Sequence, residues 1–182
     1  YHGVASESDL SKSKALNVNG KHISENTFFN QMLFLSRYKN VISIDDLITG
    51  KNIKQENIVI TFDDGFKNNI KAAEILNNLN LPATFYLCIG NILENKMFWV
   101  DILEDFIYNH HFKKCNLDYI NKIINISSPV DKINSLKELK FILKRISKFK
   151  RHMFFENLYS DFDFIPNIDN PLYKVLSISD VK

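Results

Sequence analysis

Behind Ser24, a residue suited to capping a helix, the apolar residues Phe28, Phe29, Met32, Leu33 and Leu35 recur at helical spacing. That pattern predicts a helix running to about Tyr38. Residues 1–23 are polar, and the step Asn19-Gly20 predicts a turn. Val41 to Ile44 forms a short apolar stretch, followed by Asp45, Asp46 and Leu47, with Gly50 as a natural stop before a polar loop to Glu56. Then the rhythm changes. Ile58-Val59-Ile60 is the β-branched run that a strand buried on both faces requires, and it continues into Thr61 and Phe62. A helix is predicted from about Phe66 to Leu79, with Ile70, Ala73, Leu76 and Leu79 on one face. Pro82 breaks the chain, and Ala83 to Ile89 reads as a second buried strand. Strand, helix and strand joined by short connections predict a βαβ unit, with a parallel pair and a right-handed crossover.

Beyond Gly90 the pattern turns helical. Phe98 to His110 predicts a helix with Trp99, Ile102, Leu103 and Phe106 facing inward, and Leu117 to Ile126 a shorter one. Ser128-Pro129 is a good helix start, Ser as cap and Pro at the first helical position. From there Val130, Ile133, Leu136, Ile142, Ile146, Phe149 and Met153 keep one stripe. Residues 160–171 read as loop, and Tyr173 to Val181 as a short strand or the start of a helix. The chain shows no internal repeat. Residues 93–172 therefore read as a helical insertion within an α/β scaffold.

Composition narrows the function classes. A chain of 182 residues suits one domain with its own core, and 45% hydrophobic with 24% charged residues is a globular balance. Lys plus Arg (23) against Asp plus Glu (21) leaves +2, which argues against an electrostatically driven nucleic-acid binder. Cys88 and Cys115 are too few for a disulfide scaffold or a cysteine-built zinc site, and Cys88, placed in the buried strand, reads as an inert thiol. No apolar run approaches the roughly 18–20 residues of a membrane-spanning helix. Tyr1-His2-Gly3-Val4 shows neither an initiator Met nor the order of a secretory signal, so a processed chain or a fragment is expected, with its compartment open. Lys137, Lys140, Lys144, Arg145, Lys148, Lys150 and Arg151 make a basic run. Such a run is ordinarily a solvated face, and gripping an anionic glycan or lipid headgroup is the functional alternative.

The chemistry concentrates after the first buried strand. Ligands and catalytic groups of parallel sheets gather where strands end, and Asp63 and Asp64 lie there. Neighbouring strand residues point to opposite faces, so the chain must twist for both carboxylates to share a site. Gly65 supplies that freedom, because it has no Cβ to forbid positive φ. Two close carboxylates repel unless a divalent cation takes one as ligand and leaves the other as base. The simpler reading of Asp-Asp-Gly is a polar turn closing a strand.

Thr61-Phe62-Asp63-Asp64-Gly65 resembles the first signature of the polysaccharide deacetylase family, the NodB-like carbohydrate esterases. Ile75-Leu76 and Leu81-Pro82-Ala83-Thr84-Phe85-Tyr86 resemble that family's next helix and strand. Tyr1-His2-Gly3-Val4 resembles the Tyr-His near the start of its catalytic domain. Ile23-Ser24 through Leu35 is similar to the helix between them in the poly-N-acetylglucosamine deacetylase branch. Together these cover roughly residues 1–93.

The resemblance implies an α/β fold, a partial, distorted (β/α) barrel of the deacetylase type, over one incomplete domain spanning residues 1–182. It implies metal-dependent hydrolysis of the N-acetyl groups of sugars in a bacterial surface polysaccharide. Asp63 would be the general base, Asp64 the ligand of a divalent ion such as zinc, and His2 the general acid. Gly65 would lie against substrate, and Trp99 resembles an aromatic position that could line the sugar cleft. The partner would be an N-acetylated oligo- or polysaccharide.

One departure is large. The family's His-Ser/Thr-x-x-His motif does not occur, and His110 and His111, adjacent on a helix, would point about 100° apart. A catalytic zinc takes three protein ligands. Val175-Leu176-Ser177-Ile178-Ser179-Asp180-Val181-Lys182 resembles the segment ahead of that motif, so the chain is expected to be cut before its histidines. A glycan-binding module without the metal histidines is the second reading. Phosphoryl transfer through an aspartyl nucleophile fits worse, its two Asp normally being spaced by a residue, and a glycosidase stays formally open.

Overall fold

The computed structural model describes residues 1–12, 17 and 20–181. Of the Asn19-Gly20 turn, Asn19 lies outside the described residues, while Gly20 has the positive φ (63°) of a turn residue. The fold is mixed α/β. Its strands form small two-stranded sheets, and among the described residues they do not close into a barrel. The chain divides into two compact units, one of Tyr1–Met97 with Ile168–Lys182, the other Phe98–Asn167.

In the first unit, β1 (Gly3–Ala5) pairs in parallel with β2 (His22–Ser24), with α1 (Glu7–Lys12) between them in sequence. The hydroxyl of Ser24 accepts the N–H of Thr27 and caps α2 (Glu25–Tyr38), which buries Phe28 and Met32. Phe29, expected on the same face, stays 40% exposed. β3 (Asn40–Val41) leads to α3 (Ile44–Thr49), which Ser43 caps and Gly50 ends at φ 72°.

The run predicted as one strand over 58–62 is two short ones. β4 (Asn57–Ile58) pairs in parallel with β3, and β5 (Thr61–Phe62) pairs in parallel with β6 (Thr84–Phe85) across α4 (Asn69–Asn78). The βαβ unit is present with shorter parts than expected. On α4 it is Ala72 and Leu76 that are buried, one residue out of phase with the expected Ala73. The second strand ends at Phe85, and the stretch to Ile89 is not buried, because the backbone bends into α5 (Ile89–Glu94). Cys88 is accordingly exposed, which corrects its placement in a buried strand.

Val4, Phe28, Met32, Ile60, Phe62, Ala72 and Leu76 form this unit's core. Phe62 stacks on Phe85 at 4.5 Å and meets Phe28 edge-on at 5.7 Å. Since Phe62 turns into this core, alternation aims Asp63 away from it. The segment after Ile168 returns to the unit. Val175 bridges Phe66, the Leu176 N–H donates to Gly65 O (2.9 Å) and the Lys67 N–H to Lys174 O (2.8 Å).

The second unit holds α6 (Trp99–Asn109), then β7 (Lys114–Leu117) and β8 (Lys122–Asn125), then α7 (Pro129–Arg145) and α8 (Lys148–Phe162). The helix expected over 117–126 is instead an antiparallel hairpin, Cys115 opposite Ile124 and Leu117 opposite Lys122. Its physical reason is period two: Cys115, Leu117, Ile124 and Ile126 are buried while their neighbours are not. Asn121, at φ 50°, supplies the left-handed turn residue.

Ser128 caps α7 with Pro129 in its first turn, as expected. The single stripe drawn through Met153 breaks at Ile146-Ser147, where Ser147 caps a new helix by accepting the Lys150 N–H. The break resets the phase. Leu136, Leu139, Leu143, Phe154, Phe155 and Leu158 are buried, while Val130 and Phe149 stand 65% and 71% exposed. Three acids of α6, Asp101, Glu104 and Asp105, are buried. Glu104 is paired with Lys140, and Asp105 accepts the Asn167 N–H at 2.8 Å and the Asn109 amide at 2.5 Å. Burial pushes the Asp105 carboxyl up from its ordinary value.

Candidate functional site

The site is built where β5 ends. The Tyr1 nitrogen donates to Thr61 O (2.9 Å), and the Asp63 N–H donates to Tyr1 O (3.0 Å). On the other edge the Thr84 and Tyr86 N–H groups bond Ile60 O (3.0 Å) and Phe62 O (2.8 Å). Alternate residues serve opposite edges of a strand, so the extended segment is held between Tyr1 and β6. Its last carboxylates are thereby fixed at the exit.

Asp63-Asp64-Gly65 turns by successive positive φ angles, 73° at Asp64 and 85° at Gly65. The glycine expectation holds, and a Cβ there would also lie 3.0 Å from Leu87 Cδ2. Asp64 takes the left-handed region too, which Asp tolerates better than most residues. The turn leaves Asp63 exposed and Asp64 half-buried. His2 Nδ1 lies 3.1 Å from Asp64 Oδ2, with the imidazole 48% and the carboxylate 32% exposed.

The structure thus brings His2, Asp63, Asp64 and Gly65 into one place. Trp99 belongs to the second unit, where the Arg151 guanidinium stands 5.0 Å from its ring centre. Cys88, which sequence reasoning set aside, borders the aspartates. Its N–H donates to Asp64 O (3.2 Å), and its thiol is pushed up by partial burial and then by the charges of Asp64 and Asp63. It stays a thiol.

Beneath His2 lies a polar layer that the sequence pattern did not reveal. His22 is 2% exposed, and its Nδ1 lies 3.0 Å from the Asn68 amide nitrogen. Burial first, then the charges of Lys21 and His2, push its pKa down to about 3, against a weaker opposite effect of the Leu172 backbone. A Cβ on Gly3 would fall 2.1 Å from His22 Nδ1. His22 therefore supports the backbone next to His2. Asn68 was the available signal: it holds the N-cap position of α4 but makes no capping bond, its amide being turned to His22.

Chemically, Asp63 can accept a proton from water, and Asp64 orients an imidazole that can give or take one. The fit to zinc is poorer. Asp64 and His2 are two donors, and among the described residues no group of three His, Cys, Asp or Glu side chains could hold a metal ion. The residues described do not complete a catalytic zinc site. Among them, too, no helix is long and apolar enough to cross a membrane. No family model matches the chain, and comparison with curated proteins and with solved structures finds no match either.

Proposed function

We propose that this chain carries the acid–base half of a sugar N-deacetylase acting on an N-acetylated oligo- or polysaccharide of a bacterial surface. The observation that supports it is the imidazole of His2 held 3.1 Å from Asp64 Oδ2 beside an exposed Asp63 at the end of β5. In this reading Asp63 takes the proton of the water that attacks the acetyl carbonyl. His2, aligned by Asp64, returns a proton to the departing sugar amine. Gly65 supplies the positive φ by which the turn presents the two aspartates to the substrate. With it goes the reading of the first unit as part of a distorted (β/α) barrel, supported by the parallel pairs β1–β2, β3–β4 and β5–β6 with helices between them. The divalent ion expected at Asp64 needs donors that the described residues do not supply, so no step is assigned to it.

That shortfall favours one second reading, a deacetylase-like module that holds glycan without cutting it. Acetate release from N-acetylglucosamine oligomers, measured with zinc present, separates the two. The full product of the gene should release acetate, and Asp63→Asn should lower the rate by about a hundredfold or more, as loss of a general base does. Oligomer binding by the full product with no acetate released establishes the binding module instead. Neither binding nor release rejects both.

A further inference from the structure

We propose that the bend between α7 and α8 is a docking surface for an anionic phospholipid bilayer. Between Glu138 and Glu156 the chain carries six cations, Lys140, Lys144, Arg145, Lys148, Lys150 and Arg151, and no acid. Three of them are engaged locally: Lys140 with Glu104, Arg145 over the Phe141 ring at 3.3 Å, and Arg151 over Trp99. Lys144, Lys148 and Lys150 are exposed, and among the described residues none has a carboxylate within ion-pair distance.

Two features make this more than a solvated face. Phe149 stands between Lys148 and Lys150 and is 71% exposed, and Phe141, one turn before Arg145, is 57% exposed. Phe149 sets apolar area in the middle of the cations, the combination of basic and aromatic side chains with which an interfacial surface meets anionic lipid. In addition, Lys148, Lys150 and Arg151 crowd the first turn of α8, which has no acid. Cations there oppose the helix dipole, so the placement works against the helix unless an anionic surface lies outside it. The break at Ile146-Ser147 joins the end of α7 to the start of α8, so the cations of both helix ends lie next to one another along the chain. Lipid headgroups supply the negative charge, and the acyl boundary beneath them takes the rings. The inference does not depend on the deacetylase reading.

The test is co-sedimentation of residues 1–182 with vesicles of equal parts phosphatidylglycerol and phosphatidylcholine, against phosphatidylcholine alone. The protein should sediment with the anionic vesicles and not with the neutral ones, and ionic strength near ~1 M should release it. Each lysine near such a surface is worth about fivefold in partition, so Lys144→Gln/Lys148→Gln/Lys150→Gln together should lower it roughly a hundredfold. Phe149→Ser should lower it about tenfold, with little change in salt dependence. Circular dichroism melts unchanged from wild type keep both variants interpretable. Equal sedimentation with neutral vesicles, or a triple variant that binds like wild type, overturns the proposal. So does tighter binding to duplex DNA through the same lysines, which would assign the patch to nucleic acid.

Discussion

Acidification should loosen the first unit through His22 before its carboxylates matter. The ring is 2% exposed and held neutral, its pKa about 3 against 6.5 for an exposed imidazole. Between those values the unfolded chain binds a proton that the folded chain refuses. Stability therefore rises with pH across this window, and it falls as pH drops below 6.5. One proton is worth about 1.4 kcal/mol per pH unit, so moving from pH 7 to 4.5 should remove about 3 kcal/mol, and reaching pH 3 about 4 kcal/mol. Set against a stability of about 5–15 kcal/mol for a domain, that is a large share. Urea denaturation at a series of pH values reads it directly. His22→Gln, which keeps a polar side chain and removes the titration, should cost stability at pH 7 by about 1–3 kcal/mol and flatten the slope between pH 6.5 and 4.5. Comparing the two proteins also cancels Asp105, whose raised pKa works in the opposite direction. Parallel pH profiles for wild type and His22→Gln would refute the reasoning, since the lost slope must belong to that ring.

Three further outcomes are expected. Lys140→Ala should destabilise by about 3–5 kcal/mol, because Glu104, its side chain only 7% exposed, would be left buried without its cation. In the double variant Lys140→Met/Glu104→Met most of that cost should vanish; a thermal melt as low as that of the single variant would contradict the argument. Gly65→Ala should cost about 1–3 kcal/mol, from φ 85° and from the 3.0 Å approach to Leu87, and an unchanged denaturation midpoint would show that the turn yields freely. Asp180 is held down to about 2 by the Lys67 ammonium and by Ser177. Its contribution is present above the ordinary carboxylate value near 3.8 and is lost as pH falls through 2. The melting gap between wild type and Asp180→Asn should therefore close only below pH 4.

What the sequence disclosed tracks how local the controlling physics is. Caps at Ser24 and Ser128, the stop at Gly50 and the parallel β5–β6 pair across α4 each depend on a few neighbouring residues, and each was read correctly. The hairpin was missed because Leu117 to Ile126 is short and apolar at both periods, and only pairing with Lys114–Leu117 decides between them. The stripe through Met153 hid a break because Ser147 looks like any polar residue until its hydroxyl is seen capping Lys150. At the site, the Asp63-Asp64-Gly65 turn and its glycine were legible, while the meeting of His2 with Asp64 spans 62 residues and depends on Tyr1 lying alongside the strand. The burial of His22 beneath Gly3 had no sequence signal beyond an uncapped Asn68.

The returning segment after Ile168 also sets an order in time. Its bonds fall on Gly65, Phe66 and Lys67, immediately behind the aspartate pair, and Lys67 meets Asp180 across 113 residues of chain. On the ribosome, those partners emerge only after the whole of the second unit, whose hairpin and helices close through nearer contacts. The second unit can thus finish while the first still waits. Asp63 and Asp64 are held by Tyr1, β6 and Cys88, whereas the residues just behind them wait for the returning segment, so a nascent chain holds the aspartate pair well before it holds everything that backs it.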